Sequence, residues 1–299
     1  MNFIQPKVEW WPQHTIAQHI ARIGRICYKS EGRQPTSEMS EDERKAFIQK
    51  RDEKRCNDFW DSGHRSMYRH GSCYFFVPNE KMLHTIHIWS LMMASPYIRY
   101  AVKGSKVWVS TNMQFLCEHE QLMQLLSPYR VDEDEYIFLA VKDNCDDALW
   151  LLRMTFVVTT QISTSRELNR TSPNAIAEQS TRYCNLEKKG GVMICKPIWY
   201  ATGTLWQRLL YKACCVINSW IYIRLLRSGL KPEHSRGILP LDTYTVVAYT
   251  YNLLEWKNII DLRWHEKTGK AHPNAKCVVG DIRNIIMERM KKYITNFDI

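Results

Sequence analysis

The run Met154 to Ile162, M-T-F-V-V-T-T-Q-I, is the strongest constraint on how this chain folds. Its β-branched and aromatic content predicts a strand, and it passes straight into a polar segment, Ser163 to Tyr183. Gly71 to Val77, Lys106 to Thr111 and Tyr136 to Val141 are further predicted strands. Helical spacing of Ile16, Ile20, Ile23 and Cys27 predicts an amphipathic helix from Thr15 to Tyr28. Ser30 to Arg55 is charge-dense and reads as a loop plus an exposed helix, a solvated connector more than a mobile lid. Leu205 to Leu226 is apolar on several faces and is expected as a largely buried helix. Thr245 to Leu262 and Val278 to Ile294 are expected helices, the latter through Val279, Ile282, Ile286 and Met290. With no internal repeat and no linker, the mixture predicts one α/β (α+β) domain over residues 1–299.

A chain of 299 residues with 45% hydrophobic and 24% charged residues can bury a core, which excludes disordered and fibrous classes. The net charge of +10 suits anionic partners: nucleotides, phosphate-bearing cofactors, nucleic acid or an anionic membrane surface. No window approaches the ~20 apolar residues of a membrane span, and Met1 to Pro12 lacks a secretory pattern, so a cytoplasmic protein without membrane contact is expected. The ten cysteines lack C-x-x-C pairs and finger spacing, which predicts reduced, mostly buried thiols. The eleven tryptophans do not interleave with Lys and Arg in one stripe, so core packing is expected over base stacking.

Three polar clusters carry chemistry. Gly63 to His70, G-H-R-S-M-Y-R-H, could hold a cofactor, bind metal or cap an element, but no third and fourth zinc ligand stands close by. His84 and His87, three apart with no nearby cysteine, are a poor metal pair. In Ser165 to Asn185, Arg166, Arg170 and Arg182 supply guanidinium forks suited to phosphate. Ser180, Thr181 and local N–H groups could complete an anion cradle, and Glu167, Glu178 and Gln179 could read a base edge or a ribose. A solvated loop with surface ion pairs is the plainer alternative. Glu233 to His272 holds H-S-R-G-I-L-P, N-L-L-E-W-K-N-I-I-D-L-R and A-H-P. On a continuous helix Asn252 and Arg263 would share a face within ~20°, with Asn258 about 120° away. Such a face suits a planar ligand with carbonyls and ring nitrogens, or simply solvent.

In order, these residues resemble the flavin-dependent thymidylate synthases, the ThyX family, in a longer bacterial or phage branch. The family's R-H-R, seven-residue gap and S-x-R-Y is matched by Arg170 at its start and by Ser180, Arg182 and Tyr183 at its end. G-H-R-S-M-Y-R-H resembles its G-H-x-S/T-x-x-E-H segment, and S-R-G-I-L-P with the Asn252, Asn258 and Arg263 pattern resembles its C-terminal elements. The likeness spans roughly Ala21 to Met290, with an inserted segment around residues 79–147. It implies a twisted, mainly antiparallel sheet flanked by helices with a helical portion, and a homotetramer with sites shared between subunits. It implies dUMP contacts at Glu167, Arg170, Gln179, Ser180, Thr181, Arg182 and Arg236, with Arg263 as the catalytic cation at the uracil edge. It implies FAD contacts at His64, Ser66, Arg170, Thr171, Ser172, Glu178, Asn252 and Asn258, with NADPH and methylenetetrahydrofolate as co-substrates. No nucleic-acid module is present, and no metal is implied. Ser180 has no neighbouring histidine base and reads as a phosphate-binding hydroxyl.

The departures lie on the flavin side. R-H-R becomes Arg170-Thr171-Ser172, the family's glutamate is Arg69, and an arginine two residues after the first asparagine is Leu254. The resemblance therefore leaves two readings: an active synthase converting dUMP to dTMP with a remodelled flavin pocket, or a nucleotide-binding relative whose redox step is lost or altered.

Overall fold

The computed structural model describes residues 1–80, 86–171 and 175–299. In chain order the strands are β1 (Asn2–Ile4), β2 (Lys7–Trp10), β3 (Ser72–Val77), β4 (Ile98–Lys103), β5 (Lys106–Asn112), β6 (Arg130–Val131), β7 (Arg153–Gln161), β8 (Ile176–Glu178), β9 (Met193–Cys195) and β10 (Tyr244–Asn252). The helices are α1 (Ile16–Tyr28), α2 (Glu41–Asp61), α3 (Ile86–Ala94), α4 (Met113–Glu118), α5 (Glu120–Leu126), α6 (Glu133–Lys142) and α7 (Asp146–Leu149), then α8 (Ile162–Asn169), α9 (Trp199–Thr202), α10 (Leu205–Arg227), α11 (Pro232–Ser235), α12 (Leu253–Arg263) and α13 (Pro273–Met290).

The sheet β2-β7-β10-β8 is antiparallel throughout and organises the molecule. β7 and β10 pair from Tyr244 opposite Gln161 to Asn252 opposite Arg153, so their alternate side chains serve two cores. Phe156, Val158, Val247 and Tyr249 face α12 and α13, where Trp256, Ile260, Val279 and Ile282 pack. Val157 and Ala248 face α1 and α2 and meet Ile20, Ile23 and Phe59. Each such aliphatic side chain removed from water stabilises the fold by about 1.5–3 kcal/mol. The sheet β4-β5-β3-β6 is also antiparallel and packs its own core through Phe75, Ile98, Val109 and Leu122. Residues 79–147 supply three of its four strands, laid against β3. β1 and β9 form a two-stranded parallel pair. The helix-flanked, mainly antiparallel architecture is the one expected.

Four expectations need correction. Residues 136–141 are helical within α6, not a strand, because Asp132 caps the turn by accepting from Glu135 N at 2.8 Å. Glu133, Asp134 and Glu135 then meet the positive end of the helix dipole. Residues 245–252 form β10 rather than the first half of a helix. Their β-branched and aromatic side chains are buried almost throughout, which erases a period of two.

The helix over residues 205–226 is present as α10, with a Thr204–Gln207 capping box, but it is mostly exposed. Only Cys215, Ser219 and Tyr222 are buried, against the β1–β9 pair, while Leu205, Trp206, Leu209, Leu210, Val216, Ile217 and Trp220 are 46–67% exposed. By length and composition α10 is also apolar enough to cross a membrane, which corrects the expectation that no segment approaches that span. Tryptophan follows the same division: Trp108 and Trp256 are core residues, whereas Trp206 and Trp220 stand on the open face of α10. The cysteines are free thiols, six of them buried.

Candidate functional site

β7 delivers the chain directly into α8, and β8 returns it along the far edge of β10, so the polar segment wraps the end of the central sheet. The turn after β8 is tied at both sides. Gln179 N donates to Val246 O and Ser180 N donates to Cys27 O, each at 2.9 Å. The Ser180 hydroxyl accepts from the backbone N–H groups of Arg182 at 3.2 Å and Tyr183 at 3.3 Å. This local turn presents Thr181 and Arg182 to a cleft of about 670 Å³.

Arg166, Glu178, Gln179, Ser180, Thr181, Arg182 and Arg236 line that cleft, with Ile162, Gly237, Leu239, Pro240 and Leu241 closing its walls. Arg236 Nη1 donates to Thr181 Oγ1 at 2.9 Å, fixing the guanidinium across the opening. Arg182 lies over the Tyr183 ring at 5.3 Å and 3.9 Å from Glu233, an exposed pair of little stabilising value. The Glu178 carboxylate is engaged by three donors. Ser165 Oγ at 2.7 Å and Thr245 Oγ1 at 2.9 Å reach Oε1, and Asn169 Nδ2 at 3.3 Å reaches Oε2. It thereby ties α8 to β10 and holds the turn between them. Three guanidinium groups against this one lining carboxylate make the cleft a seat for an anion.

No thiolate is available beside it. Burial pushes the Cys27 thiol up to about 11 and raises that of Cys184 as well, so both stay protonated and poorly nucleophilic at neutral pH.

The remaining predicted residues fall into two other places. Arg263 and Glu167 meet each other where α12 approaches α8: Arg263 Nη2 donates to Glu167 O at 3.0 Å and stands 3.6 Å from its carboxylate. Asn252 does not share a helix face with Arg263. It ends β10 and caps α12, accepting from Glu255 N at 2.9 Å while Glu255 accepts from its backbone at 3.0 Å. Asn258 is exposed on α12, Arg170 is exposed at the end of α8, and Thr171 Oγ1 donates to Leu168 O at 2.6 Å. Ser172 lies outside the described residues, as does His84.

His64 and Ser66 are exposed near the end of α2, far along the chain from these groups. His64 lines a second cavity of about 740 Å³ whose wall carries Arg25, Arg33, Arg51, Lys54 and Arg55. Arg69 turns instead to Gln114 Oε1 at 2.8 Å and to the face of Tyr97. The supports Ser165, Asn169 and Thr245 were not singled out from sequence; the only signal for them is small polar residues at the ends of elements that meet Glu178.

The family model "Thy1: Thymidylate synthase complementing protein" matches residues 107–290, more than half of the chain. Two crystal structures of a UMP/dUMP methylase PolB from Streptomyces cacaoi are similar to it. The one bound with 5-Br dUMP is 23% identical, covers 51% of this chain and 74% of that one, and has a TM-score of 0.40. The one bound with 5-Br UMP is 24% identical, covers 51% and 75%, and has a TM-score of 0.41. No curated protein matches the chain. On the family match, the chain belongs to the Thy1 family of thymidylate synthase complementing proteins, the ThyX family that its motifs resemble.

Proposed function

We propose that this protein methylates C5 of a pyrimidine nucleotide, converting dUMP to dTMP with methylenetetrahydrofolate as carbon donor and NADPH-reduced FAD as hydride source. The observation that carries the reading is the cleft in which Arg166, Arg182, Arg236, Ser180, Thr181 and Gln179 converge, in a chain of this family. Arg182 and Arg236 hold the nucleotide phosphate, with the N–H groups of the Ser180 turn beside them. Glu178 keeps that turn in place, and the Gln179 amide reads the base or sugar. Arg263, anchored by the Glu167 carbonyl, is the cation proposed for the uracil edge, where positive charge favours the electron-rich ring as C5 bonds to the incoming methylene, tetrahydrofolate leaves and the C5 proton passes to water. The protonated thiols of Cys27 and Cys184 agree with a reaction in which no enzyme cysteine attacks the base.

The basic cavity at His64 fits the phosphate-bearing part of FAD, with His64 on its wall. FAD held by these residues would supply, once reduced, the hydride that completes the methyl group. Arg170, Thr171 and Asn258 lie on α8 and α12 instead, which supports a cofactor site completed by other copies in a homotetramer. The open face of α10 supports the same assembly. Trp206, Leu210, Ile217 and Trp220 fall on one stripe spanning about 80°, while Arg208 and Lys212 within the helix disfavour a lipid setting.

The test is mass analysis of the nucleotide after incubation with dUMP, methylenetetrahydrofolate, NADPH and FAD. The expected product carries one added methyl, absent when FAD is withheld from flavin-stripped protein. Unmodified dUMP, with dUMP binding demonstrated in the same sample, would reject the synthase and leave a redox-silent nucleotide-binding relative.

A further inference from the structure

The turn Arg65–His70 follows directly on His64, whose side chain lines the basic cavity. One side of this turn is closed by packing: Met67 and Tyr68 are buried, and the Tyr68 ring lies 5.0 Å from that of Trp60. Its end is joined to α4. Met113 N donates to Gly71 O at 2.8 Å, and a Cβ on Gly71 would stand only 3.1 Å from Met113 Cβ. Arg69 is held from two directions. Its carbonyl accepts from Nη2 of the buried Arg153, on β7, at 2.8 Å. Its side chain is taken by residues 79–147: Nε donates to Gln114 Oε1 at 2.8 Å, and the guanidinium lies 5.0 Å from the Tyr97 ring centroid. Gln114 and Tyr97 are themselves fixed. Gln114 Nε2 donates to Glu118 Oε1 at 2.7 Å, and because arginine only donates and a carboxylate only accepts, the amide has one orientation. Tyr97 O accepts from Thr111 Oγ1 of β5 at 2.9 Å, and β5 pairs along the whole of β3.

We infer that residues 79–147 act as a clamp on the cofactor side of the molecule: Gln114 and Tyr97 are positioning residues that hold Arg69, and through it the turn that presents His64 to the basic cavity. The functional part of this inference rests on the reading of that cavity as the flavin site. The clamp also accounts for the charge reversal at residue 69. A glutamate there would face the negative π-surface of Tyr97 and would require the Gln114 amide to turn its donor away from Glu118. The arginine and the small sheet therefore belong together: the sheet brings the acceptor and the ring face, and the turn brings the cation that both of them select.

The experiment measures three quantities on the intact protein: FAD affinity by fluorescence quenching, dUMP affinity by calorimetry, and hydrogen exchange of the peptide spanning residues 64–71. Gln114→Ala and Tyr97→Leu are each expected to weaken FAD binding fivefold or more and to speed exchange in that peptide at least tenfold. In both variants dUMP affinity should stay within twofold and exchange in α1 and β7 should be unchanged. Tyr97→Phe, which keeps the ring, should behave as the wild type. Arg69→Glu should lose FAD affinity as Gln114→Ala does, and adding Gln114→Lys to it should recover threefold or more. Unchanged exchange in Gln114→Ala and Tyr97→Leu, unchanged FAD affinity, or an equal fall in dUMP affinity would overturn the inference. If the wild type binds no FAD, the flavin reading of the cavity falls by itself, and the exchange data decide the clamp: faster exchange at residues 64–71 retains it, and unchanged exchange removes it.

Discussion

The cleft at the end of β8 and the surroundings of α12 were both expected to hold ligand, and the fold treats them differently. At the cleft, residues from α8, the Ser180 turn and the segment after α11 converge within one chain, and their guanidinium groups remain turned toward open space. Around α12, two of the expected contacts are spent on the fold: Asn252 caps a helix and Thr171 bonds back to its own helix end. On the proposed function, the difference means that a single chain builds the nucleotide half of the site, whereas the cofactor half is the part proposed to need partners brought by the apolar face of α10.

The largest expected effect breaks the comparison at α10. Leu210→Asp combined with Ile217→Asp should dissociate the assembly and reduce turnover at least 100-fold. Sedimentation of the variant as an unchanged oligomer with wild-type turnover would contradict the role given to this face.

A second test separates loss of fold from loss of either half. His70 is fully buried, bonded to Thr250 Oγ1 at 2.8 Å, and burial beside Arg153 pulls its pKa down to about 3. A histidine whose folded pKa lies below its unfolded value binds protons more readily when unfolded, so stability is full above about pH 6.5 and falls as pH drops toward 3. The His70 share of the loss between pH 7 and 4 should be about 3 kcal/mol, read from denaturant melts, and His70→Gln should remove that share and leave the one from buried His19, which burial and Arg22 also hold neutral. A wild-type slope in that variant would refute the assignment.

Within the cleft, Arg182→Ala or Arg236→Ala should weaken dUMP binding by about 1.5–3 kcal/mol each, with melting temperature unchanged; unaltered titrations would remove these residues from the phosphate site. The smallest effect sharpens the other side. Asn252→Ala should cost about 1 kcal/mol of stability as a lost helix cap, and FAD affinity should not move. A fall in flavin affinity without loss of stability would restore Asn252 as a direct contact.

The same contrast explains what the sequence made legible. The strand read over Met154 to Ile162 and the helix read over Thr15 to Tyr28 follow from local pattern, and β7 and α1 lie there. Asn252 was misread because a strand buried on both faces, Tyr244–Asn252, has no period and continues unbroken into α12. Residues 136–141 were misread because the apolar run outweighed the acidic cap before it. The exposure of α10 lies beyond local pattern altogether: an apolar helix reads alike whether its own core or another subunit covers it.

The most direct test of the central claim is dUMP titration of the Leu210→Asp, Ile217→Asp protein, with its monomeric state and secondary structure verified. If one chain carries the nucleotide half, the monomer binds dUMP within about threefold of wild-type affinity while turnover is lost. A folded monomer that no longer binds dUMP would show that the cleft itself depends on a second copy.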